Sequence, residues 1–449
     1  MLGRALTRAF AWVYRADRAL RAKLTPPGWI ALALLVACAA FGLNTKTALI
    51  HELFGLLFAL LLVAAIASLR FRPRIEATRR LPDFATVGES FEYPLRLRSR
   101  DTHDVGAVDV QEALAVKLPT MREFLDFRPR DDAPRNRFDR FVGYLRWSSL
   151  ARRKSGARFE WTGPAELRAG GESTVRIKCH PFRRGIIEFE GVRLGQAEPL
   201  GLMRRLMRLN LAENLLVLPR TWRVAPPTLP GTRRLQSGGV AFAGRVGDAE
   251  EFVGLREYRA GDTPRRIHWK AWARTGKPVI KEYQDEFFVR HALILDTFTG
   301  DDTRGFETAV SIAASHVIAP RSGEALLDLM FVERRAYTLT LGRGVGSVDE
   351  LLRVLAIVEP AQERDFPQLA EAVALHATRL SGAIVVMLRW DEPRRKLVAG
   401  LLARGVPVQV WVVRPDGALG ALDPGPMAVA AKRFRVVSPS TAQAELAIP

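Results

Sequence analysis

Two long apolar runs lie close together near the N-terminus of the chain. They cover residues 29–43 and 48–69, and only the four residues 44–47 separate them. The second run is long enough to cross a hydrocarbon core of about 30 Å, whereas the first is short unless the residues from Leu24 onward lengthen it. Because so short a link forces two helices side by side, the pattern predicts a transmembrane helical hairpin over residues 24–69.

Cationic residues flank the predicted hairpin on both outer sides. Residues 1–23 carry six arginines and lysines, and residues 70–80 carry five arginines. Such flanks favour the cytoplasmic side, so residues 1–23 are predicted to be a cytoplasmic basic flank, with everything after residue 69 also cytoplasmic. The predicted location is the bacterial inner (cytoplasmic) membrane. A cleavable signal peptide fits less well, because a second apolar run follows and no small-residue cleavage site closes the first.

The helical periodicity of residues 5–22 places arginines on one face. This pattern fits either an interfacial helix or a plain cytoplasmic flank.

The apolar pattern changes to short alternating runs over residues 74–220. Runs such as 91–97, 173–179 and 186–192 alternate in polarity and are separated by turns, which predicts a β-sandwich-like middle domain. Residues 127–154 interrupt this pattern with a strongly basic stretch, which predicts a long loop or insertion.

Residues 221–249 are rich in proline and glycine and are predicted to be a linker. The last module covers residues 250–449, where the pattern alternates between strands and helices. Strands are predicted at 292–296, 327–332, 337–341, 383–388 and 408–413, and helices at 306–318, 348–358, 368–380 and 393–403. Ser347 and Glu350 form a capping box for the second of these helices.

This alternation predicts a doubly wound α/β domain with a mostly parallel sheet. In such sheets the ligand crevice lies beyond the carboxyl ends of the strands, here near Asp296 and Trp390-Asp391.

Composition and charge narrow the functional classes. The 449 residues are too many for one ordinary core, and a hydrophobic content of 48% excludes a mostly disordered chain. The formal charge of +19 indicates an acidic partner such as nucleic acid or anionic lipid, although cytoplasmic flanks of membrane helices account for part of it. Only Cys38 and Cys179 are present, which argues against a disulfide framework and against a cysteine-based zinc site.

Residues 251–286, here called the basic-aromatic segment, carry the most distinctive pattern. Eight arginines and lysines alternate there with five aromatic rings. One interpretation is an internal network in which Asp262 and Glu286 pair with Arg256, Arg265 or Arg274 while Trp269 and Tyr258 pack on the sheet. The other exposes the arginines to an acidic partner. The many interleaved rings favour the internal network.

At this segment the chain resembles the domain-of-unknown-function 58 family. Weaker matches are Arg183-Arg184-Gly185 and the run 198–202. The residues that carry the main resemblance are Phe252, Leu255, Arg256, Tyr258, Gly261, Asp262, Arg265, Ile267, Trp269, Ala273, Arg274, Ile280, Lys281, Tyr283 and Glu286.

The resemblance implies a von Willebrand factor A-like domain after the segment and, as partner, a MoxR-type AAA+ ATPase. It implies no established catalytic activity, and no catalytic residue is predicted.

A von Willebrand A-like domain would also imply an Mg²⁺ site of the pattern D-x-S-x-S after the first strand. Here Asp296 matches, but Phe298 and Gly300 stand in place of the two hydroxyls, and Asp391 is the candidate late-loop acid. Since such a hard cation needs several oxygen ligands, Asp296 and Asp391 form a degenerate metal site at most, and no cofactor is expected. The alternative is that Asp296 caps a helix or turn.

The sequence therefore predicts a non-enzymatic, membrane-anchored adaptor or scaffold that works with a MoxR-type ATPase in protein-complex assembly or the cell envelope. Its predicted interaction face combines the crevice near Asp296 and Asp391 with residues 256–274. The first alternative is an Mg²⁺-dependent binding module, and the second is a nucleic-acid-binding protein, whose binding would depend steeply on salt.

Overall fold

The computed structural model describes residues 2–41, 48–69, 73–126, 143–225, 251–259, 261–284, 289–299, 302–319, 326–333, 335–342, 346–361, 365–418, 420 and 422–448. The chain divides into two compact units, Met1–Arg220 and Thr221–Pro449.

The first unit begins with three helices. They are α1 (Leu2–Lys23), α2 (Pro26–Phe41) and α3 (Ala48–Ala67). Within α3, the 18 residues Ile50–Ala67 are long and apolar enough to cross a membrane, and only 11% of that stretch is buried inside the protein, unlike a soluble core helix. The apolar stretch of α2, Pro26–Ala40, is shorter, so a second span stays a prediction.

Two β-sheets follow in the first unit. One has the order β1-β3-β7-β5 and the other β2-β9-β8-β4-β6. The side chains of β3 alternate between buried and exposed positions, so that Leu95 and Leu97 face a core shared with residues of the other sheet such as Val110 and Leu194. The strands are β1 (Ile75–Arg79), β2 (Phe84–Thr86), β3 (Phe91–Ser99), β4 (Gly106–Leu114), β5 (Ala157–Phe159), β6 (Thr162–Leu167), β7 (Glu172–Pro181), β8 (Gly185–Ala197) and β9 (Arg204–Leu218).

Arg79 belongs to this β-core although the sequence pattern counted it among the flanking cations of the membrane. Its side chain is buried and donates to Glu112 Oε2 at 2.7 Å, while the Tyr93 hydroxyl donates to the other oxygen at 2.8 Å. Buried polar groups need such partners.

The predicted loop over residues 127–154 is wrong for its last part. Residues Tyr144–Lys154 form helix α5, which follows the short helix α4 (Met121–Asp126), while residues 127–142 lie outside the described part. Trp147 of α5 is fully buried against α1, with its ring centroid 6.0 Å from that of Phe10 and 5.8 Å from that of Tyr14. The basic sequence of residues 144–154 thus forms an amphipathic helix, and its apolar side packs against α1.

The junction between α1 and α2 is bonded to the start of β9. Thr25 Oγ1 donates to the carbonyl oxygens of Gly201 and Leu202, at 2.5 and 2.9 Å. Glu198 in turn accepts hydrogen bonds from the backbone N–H groups of Leu202 and Met203, which shapes this turn. The run 198–202, a weak part of the family resemblance, therefore holds the base of the apolar helices.

The second unit contains one six-stranded sheet and one two-stranded sheet. The larger has the order β14-β13-β12-β15-β16-β17, with parallel pairing throughout except for the antiparallel edge strand β14. The strands are β10 (Glu251–Glu257), β11 (Val279–Gln284), β12 (Arg290–Leu295), β13 (Leu326–Val332), β14 (Ala336–Leu341), β15 (Gly382–Met387), β16 (Val408–Val413) and β17 (Phe434–Val437).

Helices cover both faces of the six-stranded sheet, and every residue of β13 and β15 is consequently buried. The apolar residues of α9 and α10 share one core with Ile294, Val385 and Val410, while α7 lies against β12, β15 and β16 outside that core. The helices are α6 (Trp269–Thr275), α7 (Thr303–Ile318), α8 (Val348–Ile357), α9 (Phe366–His376), α10 (Glu392–Ala403) and α11 (Ala442–Leu446).

The first residues of the predicted linker bond to this second unit. The Trp222 amide donates to Ser315 Oγ at 2.9 Å, and the Ala225 amide to the Leu446 carbonyl at 3.0 Å. Residues 226–249, the rest of that linker, lie outside the described part.

Candidate functional site

The basic-aromatic segment forms an antiparallel hairpin of β10 and β11 with a helical excursion between the strands. Phe252 pairs with Tyr283, and Arg256 pairs with Ile280, in the backbone register. Between the strands come a 3₁₀ turn, Pro264–Arg266, and the short helix α6. Gly276 ends α6 with a φ of 68°, a left-handed conformation that glycine adopts without steric cost.

A bidentate ion pair organises the loop between β10 and α6. The two terminal nitrogens of Arg256 each donate to one carboxylate oxygen of Asp262, both at 2.7 Å. Asp262 also accepts from the Arg259 amide at 2.8 Å, and Gly261 beside it has a φ of 107°. The planar guanidinium donates to both carboxylate oxygens, so the pair fixes the orientation of the loop and balances the two opposite charges.

These hydrogen bonds also set the protonation of Asp262. Its bonds to Arg256, and then to the Arg259 amide, lower the pKa of the carboxyl from the ordinary 3.8 to about 2. Asp262 therefore stays ionised at any pH a cell experiences.

Trp269 and Tyr258 do not pack on the sheet as predicted. Trp269 is 64% exposed and stacks on Trp272, with ring centroids 5.3 Å apart. Tyr258 is 39% exposed. A short helix with one covered side cannot bury both indoles, so the Trp269 ring remains on the surface.

Several cations of the segment also remain on the surface. Arg265, Lys270 and Arg274 are exposed, and they make no ion pair to any residue in the described part of the chain. The predicted internal network is thus present between Arg256 and Asp262 but does not include Arg265 or Arg274 within those residues.

The rest of the predicted motif is placed only in part. Lys281 is half-buried on β11, whereas the side chains of Phe252 and Tyr283 are not described. Glu286 lies outside the described residues.

Asp296 lies at the carboxyl end of β12 and is fully buried. Its Oδ1 accepts from the Phe298 amide at 3.0 Å and from Arg394 Nη2 at 3.2 Å. Its Oδ2 accepts from the Leu388 amide at 3.0 Å and from Arg394 Nε at 2.6 Å. These four donors use the full hydrogen-bonding capacity of the carboxylate. Burial raises the pKa of Asp296, while the Arg394 guanidinium and the two amides oppose that rise.

Asp391 is joined to the same guanidinium. It is the N-cap of α10, and its Oδ2 accepts from Arg394 Nη1 at 2.6 Å. The Arg394 guanidinium is itself fully buried and lies 4.7 Å from the centre of the Phe366 ring. The two candidate metal ligands are therefore brought together, but an arginine lies between them.

This donor set does not fit a hydrated Mg²⁺ ion at Asp296. The neighbouring hydroxyls are turned away, because Thr297 Oγ1 donates to the Val332 carbonyl and Thr299 Oγ1 to that of Asp302. No cluster of three or more metal-ligating side chains occurs among the residues that the structure describes. A fixed guanidinium thus supplies, at this position, the positive charge that a metal would otherwise supply.

A cleft of about 350 Å³ lies near this ion pair and is lined in part by Leu388, whose amide donates to Asp296. It lies where β12, β15 and β16 end, at the edge of the sheet where the strand order reverses and ligands commonly bind. The sequence predicted a crevice at this edge but did not identify the arginines near it. The cleft is lined by Thr299, Asp302, Leu388, Arg389, Trp390, Val412, Arg414, Pro415 and Leu422.

Arg394 is the residue of the site that sequence reasoning missed. Its spacing from Asp391, one helical turn, was visible in the run 391–395. Its bond to Asp296, 98 residues away, had no signal in a single sequence.

Comparisons with known proteins agree with the motif. Residues 254–394 match the family described as protein of unknown function DUF58, a stretch that ends at Arg394. The chain is 26% identical over 186 residues to the uncharacterized protein YeaD of Bacillus subtilis strain 168. This match covers 41% of the chain, and it spans about half the length of that relative, 45%.

Likenesses among solved structures are remote. A PapD-like domain of human CEP192 aligns with 32% of the chain and 87% of its own length, at 16% identity and a TM-score of 0.17. A cohesin module from a Clostridium perfringens family 33 glycoside hydrolase aligns with 32% of the chain and 98% of its own length, at 10% identity and a TM-score of 0.15. At these TM-scores neither likeness bears on fold or function.

Proposed function

We propose that this protein is a membrane-anchored, non-enzymatic adaptor that binds an acidic protein partner through α6 of its C-terminal unit. The observation that carries the proposal is the exposed Trp269, presented on the same short helix as Lys270 and Arg274. Tryptophan and arginine are enriched at the energetic centres of protein interfaces. The partner class that the family resemblance implies is a MoxR-type AAA+ ATPase.

The Arg256–Asp262 ion pair supports this assignment, because these two residues stabilise the loop and leave binding to the exposed side chains of α6. It fixes the loop that leads into α6, so that the exposed side chains are presented on an ordered surface. A pre-ordered surface loses less conformational entropy on binding than a flexible one.

The architecture supports a von Willebrand A-like fold for residues 289–448 as part of the same proposal. Numbered along the chain, the sheet order is 3-2-1-4-5-6, with an antiparallel edge strand and a crevice at the reversal point. The buried Asp296–Arg394 pair favours a metal-independent version of such a domain over the Mg²⁺-dependent alternative.

The proposal is tested by affinity capture of the full-length, detergent-solubilised protein from its native membrane, with ATP and with ADP. We expect nucleotide-dependent recovery of an AAA+ ATPase by the parent protein. Trp269→Ala combined with Arg274→Ala should reduce that recovery at least tenfold, since central interface residues each contribute about 1–2 kcal/mol or more.

The matched control is Lys277→Ala, an exposed cation of the same hairpin that lies 3.6 Å from Glu257. It should leave recovery unchanged. Equal recovery by the double variant and the parent would refute the interface. Recovery of nucleic acid in place of protein, lost at high salt, would favour the nucleic-acid-binding alternative.

A further inference from the structure

Helix α1 has two apolar faces, and the described residues of the chain cover only one of them. Phe10 and Tyr14 face inward and contact Trp147, as described above. The opposite side of the helix is exposed and consists of apolar residues at helical spacing. These exposed residues are Leu6, Ala9, Trp12, Val13, Ala16 and Leu20.

Trp12 is the strongest feature of this outer face. It is 72% exposed, more than any other tryptophan in the described residues. Arg8 and Arg15 lie along one edge of the face, and Arg21, near the other edge, pairs with Asp17 at 2.9 Å while its side chain stays 68% exposed. Apolar residues bordered by arginines, with an indole among them, are typical of helices that lie in a membrane interface.

The position of α1 limits what can cover this face. Only Leu24 and Thr25 separate the end of α1 from the start of α2, so the two helix ends lie within about 11 Å of each other. The bonds from Thr25 to Gly201 and Leu202, and from Arg204 Nη1 to the Leu24 carbonyl at 3.2 Å, hold that junction to the β-domain. A side chain at Gly28 would overlap the Leu202 carbonyl, so the junction is closely packed.

We propose that the outer face of α1 lies in the headgroup region of an anionic lipid bilayer, with the β-domain on its other side. The helix, about 33 Å long, then forms a layer between the membrane and the β-domain. The occupant is a lipid surface because the helix leads directly into the apolar helix α2, which packs against α3, and its arginines complement anionic headgroups. The inference rests on the membrane anchoring in the proposed function but not on the ATPase partner.

The test places an environment-sensitive fluorophore at single cysteines in the full-length protein, reconstituted in vesicles of phosphatidylcholine and phosphatidylglycerol. Cys38 is replaced by alanine, and Cys179 is kept because it is fully buried. Three labelled variants are compared, Trp12→Cys, Asp17→Cys and Phe58→Cys, and quenching by lipids with a nitroxide on the acyl chain is measured.

Asp17 is the matched control on α1, since its carboxylate lies near Tyr144 of α5 and its side chain is 38% exposed. Phe58 in the middle of α3 reports membrane insertion itself. We expect strong quenching at position 58, intermediate quenching by shallow nitroxides at position 12, and little at position 17. Vesicles of phosphatidylcholine alone should give less quenching at position 12.

Quenching at position 58 with equal values at positions 12 and 17, whether both high or both low, overturns the inference while anchoring stands. Absence of quenching at position 58 overturns the anchoring itself, and with it both proposals.

Discussion

At the scale of single residues, the buried cation Arg394 donates to both carboxylate oxygens of Asp296. Asp296 has no exposed surface and depends on Arg394 and two backbone amides for its solvation. A buried pair of this kind is costly to break, because the remaining charge has neither water nor a partner.

Replacing Arg394 should therefore destabilise the second unit strongly. We expect Arg394→Met to lower its free energy of unfolding by about 3–5 kcal/mol, measured by denaturant unfolding of the full-length protein in detergent. The control is Arg395→Met at the neighbouring position. It removes a partly exposed ion pair, in which Arg395 lies 3.4 Å from Asp423, and should lower the free energy of unfolding by about 1 kcal/mol or less. Equal effects of the two variants would contradict the structural role of Arg394.

The ion pair at Asp262 makes a pH-dependent contribution to the order of the hairpin. Because its folded pKa of about 2 lies below the ordinary 3.8, the contribution is complete above about pH 4 and is lost as the pH falls towards 2. Hydrogen exchange of residues 251–284, corrected for intrinsic rates, should show this loss of protection. Asp262→Asn should exchange faster at neutral pH and lack the acid transition. A parent-like acid transition in that variant would assign the effect to another group.

At the scale of elements, the structure shows how α1 and α5 depend on each other. Their contact forms a small hydrophobic core that is separate from the core between the two sheets. It consists of Phe10, Phe124, Trp147 and Ala151. A helix bearing as many cations as α1 gains its position from this contact, because helix propensity alone is marginal in water.

Removing the central ring of this cluster should release α1 from the β-domain. Trp147→Ala is expected to cost about 3–5 kcal/mol through lost burial and the cavity it leaves. Limited proteolysis of the full-length protein should then cleave within residues 5–22. The control, Leu145→Ala, changes an exposed residue of the same helix and should leave the cleavage pattern unaltered. Unchanged protection of α1 in Trp147→Ala would show that other contacts hold it.

At the scale of the whole molecule, the chain divides into two compact units of different architecture, and the first contains a helix that is long and apolar enough to cross a membrane. The formal charge of +19 comes entirely from residues 1–289, because residues 290–449 carry 18 basic and 18 acidic side chains. Some of the cations have a structural role, as Arg79 and Arg394 are buried in ion pairs. Net charge alone is therefore a poor guide to the partner of this protein.

Metal independence is a property to be measured on the intact protein. We expect neither millimolar Mg²⁺ nor a chelator to change the Tm of the full-length protein in detergent, because Arg394 already fills the hydrogen-bonding capacity of Asp296. A ligand bound at a hundred times its Kd would add about 2.7 kcal/mol of stability, which would raise the Tm measurably. An Mg²⁺-dependent rise that is absent in Asp296→Asn would support the metal-binding alternative instead.

The sequence by itself determined the local elements of this protein. Buried strands such as β12 and β15 follow from short apolar runs, and the Ser347 cap of α8, whose hydroxyl accepts from the Glu350 amide at 3.1 Å, follows from a four-residue pattern. The Arg256–Asp262 ion pair was among the predicted pairs, because the two residues lie only six positions apart in the sequence. Interactions of this range depend on backbone geometry that nearby residues define.

Only the tertiary structure decided which surfaces are covered and which charges meet. The pattern of α1 shows apolar residues on more than one side, but the fold places Trp147 against Phe10 and leaves Trp12 exposed. Arg394 and Asp296 are far apart in sequence and meet because β12 ends and α10 begins at the same edge of the sheet. Periodicity records that a side chain is apolar or charged, whereas its partner is set by the packing of distant elements, which local sequence does not encode.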